Sequence, residues 1–225
     1  MPLYDIFIFT LMSFSAVFFV VDPLGALPIY IAMTQTDSPE KRKMISLKAA
    51  IISTILLAIF AVAGTLIFKL FGITFGAFKI AGGILLMSMA VDMIYAKPTR
   101  IRTSPEETQE GIEKDDVALI PLAIPMLAGP GSLSTVMVLM SQTTGSRVKI
   151  GIVLCCILVT GLLSYILMRG GSMAMKILGR TGLNIISRIM GLILAAIAIQ
   201  FILNGIHDAY QLFFPSGLTV INRAS

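Results

Sequence analysis

Apolar residues in this chain come in long unbroken runs. They do not alternate as in a half-buried strand, nor form the one-sided stripe of a soluble helix. About 20 consecutive apolar residues are needed to cross a bilayer as a helix. Six runs qualify, at residues 6–33, 47–70, 78–96, 117–140, 150–168 and 185–205. The pattern predicts an all-α integral membrane protein with six transmembrane helices. The first run is too long for one straight span, since its 28 residues would make about 42 Å of helix against a hydrocarbon core of about 30 Å. It must tilt strongly or break, and Asp22-Pro23-Leu24-Gly25 stands near its middle. Residues 1–5 carry no Lys or Arg, so the first run is read as a retained span and not as a secretory signal.

The two halves of the chain resemble each other. Asp22-Pro23 precedes Gly129-Pro130 by 107 positions, and Lys69-Leu70-Phe71-Gly72 precedes Lys176-Ile177-Leu178-Gly179 by the same 107. Lys79-Ile80-Ala81-Gly82 precedes Arg188-Ile189-Met190-Gly191 by 109. Three spans per half force the second copy into the opposite topology, which predicts two inverted three-helix repeats with broken first and fourth spans. The expected organisation is a first repeat at 1–96, a linker loop at 97–116, a second repeat at 117–213 and a tail at 214–225.

Inverted-repeat transporters place their substrate near the bilayer midplane, where interrupted spans of the two copies meet. The corresponding interruptions here are Asp22-Pro23-Leu24-Gly25-Ala26-Leu27-Pro28 and Ala128-Gly129-Pro130-Gly131-Ser132-Leu133-Ser134-Thr135. Proline removes a backbone donor inside a helix, and glycine tolerates the dihedrals that follow. The freed backbone groups cannot face lipid. Each restarting half-helix offers N–H groups and a partial positive charge to a carboxylate. Ser132 is placed to cap the second half-helix, and Ser134 and Thr135 to supply hydroxyls to the same cavity. The candidate substrate-binding residues are therefore Asp22, Pro23, Gly25, Gly129, Pro130, Gly131, Ser132, Ser134 and Thr135. Asp22 is an intramembrane carboxylate. It suits a substrate ammonium or a coupling proton, and it also suits an N-cap ahead of Pro23; the two roles are compatible.

Composition narrows the class. The chain is 56% hydrophobic and 13% charged, with a mean hydropathy of +0.93. That is about half the charge of an ordinary soluble domain, which argues against a soluble enzyme. The net charge of +5 does not point to nucleic acid, because the basic residues sit in the connections between apolar runs. Twelve of the 17 Lys and Arg fall on one side, in the connections around 41–48, 97–114 and 169–188. That side is expected to be cytoplasmic, leaving both termini outside. Cys155 and Cys156 are adjacent in an apolar run, so neither a disulfide framework nor a zinc site is read from them.

Other residues have structural readings. Lys79 and Arg188 are expected to snorkel to the interface. Gly82, Gly83 and Gly191 permit close helix contact, and Gln200 with Asn204 suits helix-to-helix hydrogen bonding. Asp92 is expected near the interface, and His207-Asp208 beyond the end of the sixth span. An intramembrane hydrolase is the rival class, with Ser132 and His207 as its candidates. The serine motif of rhomboid proteases needs Gly after the serine, and Leu133 stands there; a nucleophile without a base in reach is not activated. No nucleotide-binding loop is present, so ATP coupling within this chain is not expected.

The two interrupted blocks, Asp22 to Pro28 and Ile124-Pro125-Met126-Leu127-Ala128-Gly129-Pro130-Gly131-Ser132, together with six spans and an acidic-basic central loop, resemble the MarC family, also described as SnatA-like small neutral amino acid transporters. The resemblance covers nearly the whole chain. It implies a multi-pass inner-membrane protein of a prokaryote that moves glycine, alanine and similar amino acids, driven by an ion gradient; the inverted repeat itself predicts alternating access, the two repeats rocking about the site. No cofactor is expected. The partners the resemblance implies are the amino acid, a proton or sodium ion, and membrane lipid, with assembly into a homo-oligomer left open. The family fold is similar to that of LysE-type exporters, so export, or another small solute, stands as the alternative.

Overall fold

A computed structural model describes residues 3–34, 37–95, 118–143 and 145–213. The expected linker at 97–116 and tail at 214–225 lie outside them. The regular secondary structure of the described residues is all helix, with no strand among them. Helices α1 (Leu3–Val21) and α2 (Pro23–Met33) form the first span, broken at Asp22. Helix α3 (Pro39–Phe71) and helix α4 (Phe75–Ile94) follow. The fourth span is a π-helix (Ala118–Leu127) and helix α5 (Pro130–Ser141), separated at Ala128-Gly129. Helices α6 (Arg147–Arg169) and α7 (Gly171–Phe213) complete the described residues.

Among the described residues five helical stretches are long and apolar enough to cross a membrane, α1 with α2 counting as one, and the fourth span is the exception. Its pieces are too short to cross alone, because Pro121 and Pro125 deny the helix two backbone donors and Pro130 starts it afresh. The π-helix closes with the Ala128 N–H donating to the Ala123 carbonyl at 2.9 Å, a five-residue step.

Two boundaries differ from the sequence reading. Helix α3 begins at Pro39 and not near 47, because the Ser38 hydroxyl accepts from the Lys41 N–H and Pro39 fills the first helical position. Lys41, Arg42, Lys43 and Lys48 are thus helical residues, not loop residues. The connection expected between spans five and six is also helical. Helix α7 starts at Gly171, breaks at Gly179 and runs on to Phe213. Gly72 (φ 64°) ends α3 and Gly179 (φ 63°) breaks α7. These are the glycines of two matching sequence blocks; Gly72 is left-handed helical (ψ 23°) and Gly179 extended (ψ −179°), but both hold a positive φ that a β-carbon disfavours.

The packing crosses between the halves. Helix α3 packs on both pieces of the fourth span, and α6 packs on both pieces of the first. Helix α4 runs antiparallel along α7 through a seam of small residues at seven-residue spacing. Gly76, Gly83 and Ala90 face Gly205, Ala198 and Gly191 in that order. Outside, Ile51, Ile55, Ile59 and Leu66 of α3, and Leu158, Leu162 and Ile166 of α6, are exposed. Such ridges of apolar side chains suit lipid, not water.

Gly151 is the contrasting glycine. It lies inside α6, exposed, with nothing within 4 Å of an added β-carbon. Gly151→Ala is expected to stabilise the protein by up to about 1 kcal/mol, the helix-propensity difference. A thermal unfolding scan in detergent checks the sign; a lower midpoint would contradict an open site there.

Candidate functional site: two buried helix breaks

Both breaks have the same local design. In the first, Asp22 is the N-cap of α2 and Pro23 its first residue; in the second, Gly129 is the N-cap of α5 and Pro130 its first residue. A proline cannot donate to the preceding turn, so each chain leaves one helix and starts another.

The two differ in how the new helix is capped. Asp22 sits in the left-handed region (φ 49°, ψ 64°), which Asp and Asn enter more readily than other side-chain-bearing residues. Its Oδ1 accepts from the Gly25 N–H at 3.0 Å, and its carbonyl accepts from the Ala26 N–H at 3.2 Å. The expected capping role of Asp22 is present. Gly25 belongs to that cap, since an added β-carbon would run into the Asp22 carboxylate, with Cγ 2.8 Å away. Helix α5 has no side-chain cap.

Ser132 corrects an expectation. It does not cap α5; its hydroxyl donates backward to the Leu127 carbonyl at 2.9 Å and the Gly129 carbonyl at 3.0 Å. It serves carbonyl acceptors at the break instead of N–H donors, and the Gly129 carbonyl also accepts from the Leu133 N–H at 2.9 Å. Ser134 and Thr135 likewise turn their hydroxyls onto the carbonyls of Pro130 and Gly131, at 2.7 and 2.9 Å. Their donors are thus engaged, and only their lone pairs remain to accept.

Helix α4 sets the depth of the breaks. Its 20 residues span about 30 Å, the thickness of a hydrocarbon core. A β-carbon on Gly131 would meet Leu86 and Met89, in the middle portion of α4. The first break is flanked by Val20 and Leu24, which pack in one cluster with Leu86, Met89 and Ala90. Val21 and Ala26 join Leu127 and Ala128 in another. Both breaks therefore lie in the buried middle of the bundle. Asp22 and Thr135 are fully buried (0% exposed), and Ser132 is 3% exposed.

The remaining candidates lie elsewhere. Lys79 does not simply snorkel; its Nζ pairs with Asp208 Oδ2 at 2.6 Å and ties the start of α4 to α7. Asp208 and His207 are inside α7, not beyond the sixth helix. Gln200 bonds Asn204 on the exposed face of its own helix, at 2.9 Å, instead of another helix. His207 is exposed and bonded to Gln211 at 2.8 Å. Gly205 touches Gly76 while Gly131 touches Leu86, so Ser132 and His207 stand about 15 Å apart in depth. They are not brought together. Arg188 is exposed on α7, and Asp92 is half-buried in the last turn of α4.

Sequence reasoning missed Leu86 and Met89, the α4 side chains that close over the start of α5. Nothing in an apolar run marks which of its leucines faces a break in another span.

A family model described as "MarC family integral membrane protein" matches residues 7–210. A UPF0056 membrane protein of Methanocaldococcus jannaschii is 38% identical, the match covering 88% of this chain and 96% of the relative. The UPF0056 membrane protein YvbG of Bacillus subtilis is 37% identical, over 91% and 97%. The UPF0056 membrane protein YhcE of Escherichia coli is 34% identical, over 88% and 91%. No solved structure matches the chain.

Proposed function

The chain belongs to the MarC family of integral membrane proteins, and from that premise we propose that it is a secondary transporter of small neutral amino acids, such as glycine and alanine, in a prokaryotic inner membrane. The observation that carries this reading is the pair of Pro-started half-helices at mid-depth, one capped by a buried carboxylate and one without a side-chain cap. A zwitterion needs both ends recognised. Its carboxylate suits the uncapped start of α5, where backbone N–H groups and the helix dipole favour an anion. Its ammonium suits Asp22. Small side chains suit a site walled by Leu86, Met89 and Gly131. A proton or sodium ion is the proposed coupling ion.

The two halves read best as inverted repeats. Supporting this, each broken span packs on the second helix of the other half, and matching glycines at 72 and 179 share a positive φ. Closure over both breaks corresponds to an occluded state, so substrate entry requires α1, α2 or α5 to move against α4. Because α4 of the first half is seamed to α7 of the second, the proposed motion turns about that pair and does not part the halves cleanly.

Uptake of labelled glycine and alanine into proteoliposomes tests the proposal. Proton- or sodium-gradient-driven accumulation, competed by other small neutral amino acids, is the expected result. Folded protein that accumulates neither under either gradient would overturn the substrate assignment and favour export or another small solute.

A further inference from the structure

A cavity of about 480 Å³ opens at the end of the bundle where α2 and α6 finish and α3 starts. It is not part of the two breaks. Tyr30 and Met168 form its buried floor. Arg42, Lys43 and Arg169 line it against one acid, Glu40. Its wall is built, not incidental: the Tyr30 hydroxyl donates to the Arg42 carbonyl at 3.0 Å, and Arg42 Nε donates to the Thr34 carbonyl at 2.8 Å. These bonds lock the end of α2 to the first turn of α3, whose N-terminus adds its own partial positive charge.

The charge selects an anion, and the surroundings select an amphiphile. Directly along α3 from Lys43 lie Met44, Leu47 and Ile51, all exposed; along α6 from Arg169 lie Ile166 and Leu162, also exposed. These positions recur on one face of each helix and run from the charged rim into the apolar belt. A soluble anion would use the rim alone. A phospholipid would use both, with its phosphate in the cavity and its acyl chains along α3 and α6. Basic pockets between membrane helices are suited to such headgroups. We propose that this cavity binds the phosphate-bearing headgroup of an anionic membrane phospholipid. The proposal does not rest on the transport reading.

The test is binding to the purified full-length protein in neutral detergent, read by native mass spectrometry and thermal shift. The probes are phosphatidylglycerol, phosphatidylcholine, and glycerol 3-phosphate as the free phosphate ester. Phosphatidylglycerol is expected to bind and stabilise, and the other two are not. Each basic residue near a membrane surface changes anionic-lipid binding roughly fivefold, so Lys43→Gln with Arg169→Gln should weaken it about 25-fold. Both side chains are exposed, so the double variant should fold. The charge-keeping pair Lys43→Arg with Arg169→Lys should bind within a few-fold of the parent. Equal binding of phosphatidylcholine, or undiminished binding by the neutral pair, would overturn the site. Stabilisation by glycerol 3-phosphate equal to that by the lipid would overturn the lipid as occupant.

Discussion

An Asp22→Asn variant is expected to stay folded and membrane-inserted, yet to lose gradient-driven uptake about tenfold to hundredfold. The size follows from removing the charge from a hydrogen bond to an ammonium or a coupling ion, roughly 1.5–3 kcal/mol. Folding should survive for two local reasons. Asn enters the left-handed region about as readily as Asp, so φ 49° is kept. Its amide oxygen can still accept from the Gly25 N–H. Asp22→Ala is the necessary contrast. It removes the cap, for about 0.5–2 kcal/mol, and puts a residue without a local hydrogen bond into the left-handed region, for about 1–2 kcal/mol more. Asn therefore reports the charge, and Ala reports charge plus conformation. Transport rates and their pH dependence, measured beside thermal unfolding, separate the two. An Asn variant with parental rate and pH profile would make Asp22 a cap and nothing more.

Local chemistry carried most of what could be read before any fold was known. Pro23 and Pro130 could be placed as helix starts because a missing donor acts on its own chain. Gly72 and Gly179 were tied together by matching blocks, and both turn out to need a positive φ. The capping role of Asp22 lies within one turn and was legible for the same reason, whereas Gly25 as its N–H partner was not read. What failed involved either a choice among partners or contacts between distant segments. Ser132 had donors and carbonyls within equal reach, and only the path of the π-helix into Gly129 decides that its hydroxyl meets Leu127 and Gly129. The Lys79–Asp208 pair joins residues 129 positions apart. The basic cavity gathers side chains from α2, α3 and α6, so charge counting gave its side of the bundle and not its existence. Helix lengths were underestimated where charged residues occupy first turns, as at Lys41 to Lys43, since hydropathy ends a span before the helix ends.

The α4–α7 seam carries the second large effect, on folding. A β-carbon on Gly205 would stand 2.6 Å from the Gly76 carbonyl oxygen, and one on Gly76 would stand 2.8 Å from the Gly205 carbonyl oxygen. Gly83 meets the Ala198 carbonyl at 2.8 Å, and Gly191 the Ala90 carbonyl at 3.0 Å. At Gly76 and Gly205 the nearest obstacle is backbone, which cannot swing aside as a side chain does; Gly83 and Gly191 also meet Ile202 Cγ1 at 2.7 Å and Met93 Cβ at 2.8 Å. Without a hydrophobic drive between helices in lipid, close backbone approach is itself the source of association. Gly205→Val must therefore push the helices apart, loosening Gly83 and Gly191 along the same seam and pulling Lys79 from Asp208. The expected cost is about 3 kcal/mol, the upper end for overpacking, read as a lower thermal midpoint and less folded protein recovered from membranes. A parental midpoint in Gly205→Val would show that the seam is not close-packed. Gly25→Ala should behave differently, because its obstacle is the Asp22 side chain. There the cap can rotate away, so transport should fall while the seam, and with it the fold, persists. That split between the two glycines separates the half-helix breaks, which the proposed cycle must move, from the α4–α7 pair about which they would turn.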